Sequence, residues 1–421
     1  MIVGQSLSKS ETLVTKVQSS KVENVTLSFY SGRKDCAANA YEVCVIVPVR
    51  NEANHLYQTL DALRLQVGLN CMPLPPDIYE VLVLVNNSSD DSCQIARQYV
   101  ADFPDFNLSV ANIHLDESQA HIGTVRRLLM DEAYKRLTRS FSQKRIIAST
   151  DGDTLVDSQW ISQIIAEIDK GNDAVGGRIL TRRESGNGRA YHLRDVTYRC
   201  LLAQAECILD PQIHNPYPCH HQYFGANMAV TADMYQQAGR LPVVPFLEDV
   251  AFHKALVDHD AKIRNSFSVK VYTSSRKDGR VAVGFSEQLR RWQNEEKIYQ
   301  TQMVEDVQVL LDMFRVRNFL RKSWSSYQQN QKIDAHDLEQ FAIMFDMDCE
   351  LIKAKIVEAK HFGQFWHAFS ETTAKSLHRT VTFQPIKQAI LQLRKFIKNA
   401  DFISSQRNLN DNFQPVSYVR V

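Results

Sequence analysis

Tyr41-Glu-Val-Cys-Val-Ile-Val-Pro-Val49 runs directly into Arg50-Asn51-Glu52. A short run rich in β-branched residues and closed by a proline is the pattern of a strand covered on both faces. Strands of that kind belong to parallel sheets, which need helical crossovers. The flanking text supplies them. From Glu52 to Val67, the residues Leu56, Leu60, Leu63 and Val67 recur at helical spacing. A loop with Pro73, Pro75 and Pro76 follows, and Tyr79-Glu-Val-Leu-Val-Leu-Val85 repeats the strand pattern. Asn86-Asn-Ser-Ser-Asp-Asp-Ser92 reads as a turn and helix cap opening a helix over 93–101. A third strand is expected over 108–114, a helix over 124–137 and a fourth strand over 145–149. This β-α-β-α rhythm predicts an α/β fold, a Rossmann-like, mostly parallel sheet with flanking helices. Such sheets bind ligands beyond the carboxyl ends of their strands, so the loops at Arg50, Asn86 and Asp151 are expected to line one crevice.

Outside this core the composition changes. The chain has 421 residues and only 15 glycines, against a typical usage of ~7%. Gly123 and Gly284 bracket most of them, and no proline lies between Pro245 and Pro385. Beyond 285, apolar residues recur at spacings of three and four over 285–299, 304–323, 335–344, 349–361 and 386–398. The expected organisation is a polar N-terminal arm over 1–40, an α/β domain over 41–285 and a helical C-terminal region over 286–421. The arm reads equally as an added edge element.

With 49 Lys+Arg against 48 Asp+Glu, the chain is not built mainly to coat nucleic acid or an anionic surface. The N-terminus lacks the apolar core of a secretory signal, and no apolar run approaches a membrane span. A cytoplasmic protein is expected, with peripheral membrane contact left open. The eight cysteines form no CxxC pair and read as reduced thiols.

The chemistry is expected in four segments. Thr150-Asp151-Gly152-Asp153-Thr154 follows the fourth strand and places two carboxylates one residue apart, donors suited to Mg²⁺ or Mn²⁺. Two further Asp-x-Asp pairs, Asp258-His-Asp260 and Asp346-Met-Asp348, lack a preceding strand and read as solvated surface carboxylates. Phe224-Gly225-Ala226-Asn227 is a small-residue stretch that permits close approach of a sugar. Glu248-Asp249 opens an apolar-periodic helix, where acidic residues also serve as simple first-turn partners of the helix dipole. Tyr272-Thr-Ser-Ser-Arg276-Lys-Asp-Gly279-Arg280 carries basic residues suited to a diphosphate.

This ordered set resembles the GT-A glycosyltransferases of family 2, of bacterial type, over roughly 41–285. Pro48-Val-Arg-Asn51-Glu52 resembles the family's first-strand motif, Asn86–Asp91 its second turn, Asp151-Gly-Asp153 its Asp-x-Asp and Glu248-Asp249 its later acidic pair. The resemblance implies a nucleotide-sugar donor, UDP- or GDP-linked, lying over Pro48, Arg50, Asn51, Glu52 and Asn87. It places Asp151 near the ribose and Asp153 on Mg²⁺ or Mn²⁺. Gly225 and Ala226 would face the sugar, and Arg276 and Arg280 the diphosphate. Asn87 stands where the family often has Asp and would keep a base-edge hydrogen bond. Arg126 or Arg127 would face the nucleotide, with a solvated helix face as the alternative. Asp249 would be the general base of an inverting hexosyl transfer, with Glu248 as base or acceptor contact instead. The acceptor is a small molecule or a lipid-linked hydroxyl, and the C-terminal helices suit a homodimer contact. Two other readings stand: a non-catalytic nucleotide-sugar-binding protein, and a nucleotidyltransferase, which Val49-Arg-Asn-Glu-Ala53 disfavours for want of a Gly-rich loop.

His220-His221 beside Cys219 lacks zinc-ligand spacing and reads as ordinary loop. Trp160 and Trp292 read as packing residues. Arg315, Arg317, Arg321 and Lys322 read as a solvated helix face.

Overall fold

The computed structural model describes residues 25–32, 41–140, 142–181, 188–273, 285–331, 335–344, 348–376 and 382–411. The elements of the first half are β1 (Tyr30–Ser31), β2 (Val43–Val49), α1 (Leu56–Arg64), β3 (Tyr79–Asn86), α2 (Ser92–Asp102), β4 (Leu108–Ile113), α3 (Ile122–Arg139) and β5 (Ile146–Ser149). There follow β6 (Thr154–Val156), α4 (Trp160–Ile168), β7 (Ala174–Thr181), α5 (Arg189–Leu209), β8 (Met228–Thr231), α6 (Ala232–Gln237), α7 (Glu248–Asp258) and β9 (Ile263–Thr273). One sheet takes in all nine strands in the order β1-β4-β3-β2-β5-β8-β7-β9-β6. β4, β3, β2 and β5 are mutually parallel, and β1, β8 and β6 run against their neighbours. The mostly parallel α/β architecture read from the sequence is the one observed.

Every residue of β2 and β3 is buried, because alternate side chains enter opposite layers. Val43, Val45, Val47, Val81, Val83 and Val85 pack under α1, α2 and α4. Cys44, Ile46, Leu82 and Leu84 pack under α3, α6 and α7. Pro48 fits a central strand for a specific reason. The β2–β5 ladder ends at Ile46, whose carbonyl accepts the Thr150 N–H, and Pro48, two residues further, faces the same side beyond the last rung. The proline's missing N–H therefore leaves no unmet donor in the sheet.

The N-terminal stretch resolves in favour of an edge element over its described part. β1 pairs antiparallel to β4, Leu27 and Phe29 pack on the second layer, and Arg136 sits 4.6 Å over the Phe29 ring. The second half contains α8 (Phe285–Lys297), β10 (Met303–Glu305), α9 (Val307–Gln328), α10 (Ala335–Met344), α11 (Cys349–Glu358), α12 (Phe362–Ser376), β11 (Phe383–Pro385) and α13 (Ile386–Asp411). β10 and β11 pair antiparallel at the starts of α9 and α13.

These C-terminal helices share cores with the first half. Tyr198 and Ala205 of α5 are buried with Leu310 and Phe314 of α9 and with Ala389 and Leu393 of α13. Two expectations of solvated charge are corrected at this junction. Arg317 and Arg321 of α9 both pair with Asp210, whose side chain is fully buried, and Arg317 also pairs with Glu206. Asp260 accepts the Phe362 and Gly363 N–H groups at 2.9 Å each, and Asp258 pairs with His367. Asp348 caps α11, and Asp346 lies outside the described residues. Among the described residues, no helix is long and apolar enough to cross a membrane.

Candidate active site

The loop after β2 and the turn after β3 are stitched together along the main chain. The N–H groups of Asn51, Glu52 and Ala53 donate in succession to Ser88 Oγ, Ser92 Oγ and Asp90 Oδ2, at 2.9, 2.7 and 3.0 Å. Ser89 N–H returns a bond to Asn51 Oδ1 at 2.7 Å. Small hydroxyl and carboxylate side chains suit this turn because they reach a neighbouring backbone that larger residues would crowd. Asn51 and Asn87 both adopt the left-handed region, with φ of 54° and 46°, where Asn is among the better tolerated residues. The third loop seats directly on this pair. A Cβ added at Gly152 would lie 3.1 Å from Val49, 3.2 Å from Glu52 and 3.4 Å from the Pro48 carbonyl, and Thr59 Oγ1 donates to the Gly152 carbonyl.

Asn87 acts as a strut between strand ends. Its amide nitrogen donates to the Leu115 carbonyl at 2.8 Å and its oxygen accepts the Leu115 N–H at 3.0 Å. Both ends of the amide are engaged by the backbone, so the base-edge bond expected of it would compete with the exit of β4. Arg50, exposed, donates to the Ala120 carbonyl at 3.1 Å and ties the first loop to the approach to α3.

At the centre is Arg126, on the second turn of α3 and 3% exposed. It donates to Glu248 Oε1 at 3.0 Å, Ser149 Oγ at 2.7 Å, the Gly225 carbonyl at 2.7 Å and Asp151 Oδ1 at 3.1 Å. One guanidinium thus joins the end of β5, the Asp151 turn, the 3-10 turn at Gly225–Asn227 and the start of α7. The solvated placement does not describe this residue. Arg127 points elsewhere, pairing with Asp131 and donating to the Leu241 carbonyl. Gly225 is required by contact: an added Cβ would stand 2.4 Å from Arg126 Cζ. Its N–H donates to Asp249 Oδ2 at 2.9 Å, and Asp249 Oδ1 accepts the Val250 N–H of its own helix. Ala226, half-buried, shares this turn.

The two acidic residues of α7 differ in environment. Glu248 is buried, and that burial pushes its carboxyl up to about 7, with Arg126 opposing and Asp249 reinforcing the shift. Asp249 is half-buried. Asp151 is raised by desolvation, against which Arg126 works, and Asp153 adds to the rise. Asp151 and Asp153 offer two hard oxygen donors beside Thr150, whose buried Oγ1 has no hydrogen-bond partner among the described residues. That set is too small for a closed protein cage and suits a cation that completes its shell with water and phosphate oxygens. Among the described residues, no group of three or more His, Cys, Asp or Glu converges as a metal cage. Arg276 and Arg280 lie outside the described residues.

Ser149 and the anchoring serines 88 and 92 were not singled out as site residues by sequence. Tyr223 was also missed; its buried hydroxyl has no partner among the described residues, and its ring lies 5.1 Å from that of His253. His220 is a structural residue. Its Nδ1 accepts the Gln222 N–H, its Nε2 donates to the Ser266 carbonyl, and burial lowers it to about 4. Trp160 is fully buried and donates to Asn227, while Trp292 stacks on His192.

The span from β2 to the Arg126-bonded glycine is also the span that matches a known family. Residues 44–225 match the model of glycosyl transferase family 2. Glycosyltransferase AglE of Haloferax volcanii is 30% identical over 138 residues, or 32% of this chain and 39% of AglE. Among solved structures, S. aureus TarS in complex with UDP-GlcNAc aligns with a TM-score of 0.41 at 14% identity, over 79% of this chain and 91% of that one. The mannosyltransferase PcManGT of Pyrobaculum calidifontis, in complex with GDP-Man and Mn²⁺, aligns at 0.41 and 15% identity, over 89% of each chain. Glu248 and Asp249 lie beyond the matched span.

Proposed function

We propose that this protein is a glycosyltransferase that moves a hexose from a UDP- or GDP-linked donor to a hydroxyl acceptor with inversion. One observation carries the reading: Arg126 gathers Ser149, Asp151, Gly225 and Glu248 into a single cluster at the carboxyl ends of the parallel strands. The diphosphate lies over the loop from Pro48 to Glu52, beside Arg50, with Arg276 and Arg280 as its further cationic partners. The sugar lies against Gly225 and Ala226. Asp153 and Asp151 would hold Mg²⁺ or Mn²⁺, which when bound would supply positive charge beside the leaving diphosphate.

The chain's own residues do the rest. Asp249, half-buried and fixed by the Gly225 N–H, takes the acceptor hydroxyl proton as the acceptor oxygen bonds to the anomeric carbon. The bond from that carbon to the diphosphate oxygen breaks, and the nucleoside diphosphate leaves. A base of this kind contributes ~10²–10⁴-fold. Glu248 is committed to Arg126 and positions the cluster, which favours Asp249 as the base. Asn87 holds the crevice wall. The acceptor is small or lipid-linked, and the enzyme works in the cytoplasm.

The experiment is a panel of UDP- and GDP-sugars with Mn²⁺, read by thermal shift and by release of nucleoside diphosphate. Stabilisation and turnover by one donor class are expected. Pyrophosphate release from a nucleoside triphosphate would instead point to nucleotidyl transfer, and tight donor binding without turnover on any acceptor would point to a binding protein.

A further inference from the structure

Two cysteines outside the proposed catalytic cluster lie in direct contact. Cys207 sits on the last turns of α5 and Cys219 twelve positions later, with their sulfurs 2.9 Å apart. A disulfide bond is about 2.05 Å long, so less than 1 Å of closure separates contact from a bond. The surroundings hold both partners in place. Arg264 donates to the Pro216 and Pro218 carbonyls at 2.6 and 3.0 Å and to Asn215 Oδ1 at 3.2 Å, and the Asn265 N–H donates to Asn215 Oδ1. At the other end, Asp210 is locked to Arg317 and Arg321.

We infer that Cys207 and Cys219 form a specific modification site, an intramolecular disulfide that fastens the segment entering Tyr223–Gly225 to α5. Both thiols are reduced in the structure, as the sequence reading expects, and the bond forms on oxidation. It does not depend on the glycosyl-transfer reading. Cys207 is half-buried and Cys219 buried, so an incoming low-molecular-weight disulfide such as oxidised glutathione meets Cys207 first. The Cys207 thiolate attacks that disulfide, forming a mixed disulfide and releasing one thiolate. The Cys219 thiolate then attacks the Cys207 sulfur, forming the protein S–S bond and releasing the second. Two protein thiols are oxidised, and the small disulfide is reduced to two thiols that take up the two protons. The Cys207 S–H hydrogen bond lowers the Cys219 pKa and raises that of Cys207, so the Cys207 thiolate forms as its proton passes along that bond to the Cys219 sulfur, which gives it up to solvent before its own attack.

The segment so fastened ends at the glycine whose carbonyl accepts Arg126 and whose N–H donates to Asp249. The test uses the full-length protein equilibrated with oxidised glutathione, alkylated, digested without reduction and examined by mass spectrometry. The expected result is a 207–219 cross-linked peptide and a fall from eight alkylatable thiols to six. Cys207→Ser and Cys219→Ser should each abolish that peptide while retaining the far-ultraviolet circular dichroism of the parent. Alkylation of both cysteines after oxidation, or cross-links of either one to Cys200 instead, would overturn the inference.

Discussion

The guanidinium of Arg126 stands between Asp151 and Glu248, 3.1 Å from one carboxylate and 3.0 Å from the other. These residues come from α3, the loop after β5 and the start of α7, and Arg126 and Glu248 are 122 positions apart in the chain. The donor side and the acceptor side of the proposed site are therefore held by one side chain. Removing it by Arg126→Ala leaves Glu248 buried without its partner, and breaking a buried pair in this way costs about 3–5 kcal/mol. Urea unfolding should show that loss. Arg126→Lys keeps the charge but cannot reproduce four separated bonds, so kcat should fall with a smaller stability loss.

Gly225→Ala probes the same cluster from the other side. Its Cβ would stand 2.4 Å from Arg126 Cζ, so the guanidinium or the Gly225–Asn227 turn must shift. A misplacement near 1 Å costs ~10²-fold in rate. Steady-state kinetics on this variant should show kcat reduced by about that factor with donor KM changed far less.

Glu248 gives the site a pH dependence. Its carboxyl, raised from 4.5 to about 7, keeps its proton in the folded protein where the unfolded chain has lost it. It therefore contributes stability that is fully present below about pH 4.5 and is lost as the pH rises through about 7. Activity should run the other way, because the ionised form holds Arg126. The kcat profile is expected to fall on the acid side near pH 7, and in Glu248→Gln that limb should disappear from an already lowered kcat. A wild-type acid limb retained in the variant would assign it to another group.

Asn87→Ala separates a strut from a reader of the base. The variant loses both bonds to Leu115, at about 1 kcal/mol each. The Tm should fall while the ratio of UDP- to GDP-sugar affinity stays unchanged. A changed ratio at unchanged Tm would return Asn87 to the nucleotide.

The parts of the fold set by local chemistry were legible in the sequence. The alternating faces of β2 and β3, the Asn/Ser/Asp turn after β3 and the helical spacing beyond 285 all announce their structures within a few residues. What was not legible depends on partners far away in the chain. Arg317 and Arg321 look solvated until Asp210 is placed beneath them, and Asp258 and Asp260 look solvated until α12 arrives. α5 was hidden for a similar reason. Its aromatic and charged residues serve contacts with several neighbours, which blurs a single apolar stripe. In the site, the acidic positions could be read as a set, but the bonds centred on Arg126 could not. No local pattern says which of two adjacent arginines turns inward.

The most direct test is donor turnover with Mn²⁺ by the wild-type protein and by Asp153→Ala. Nucleoside diphosphate release from a UDP- or GDP-sugar should require Mn²⁺ or Mg²⁺ in the wild type, and Asp153→Ala should lose both that release and the metal-dependent thermal shift while remaining folded. Turnover and metal binding left intact in Asp153→Ala would contradict the account.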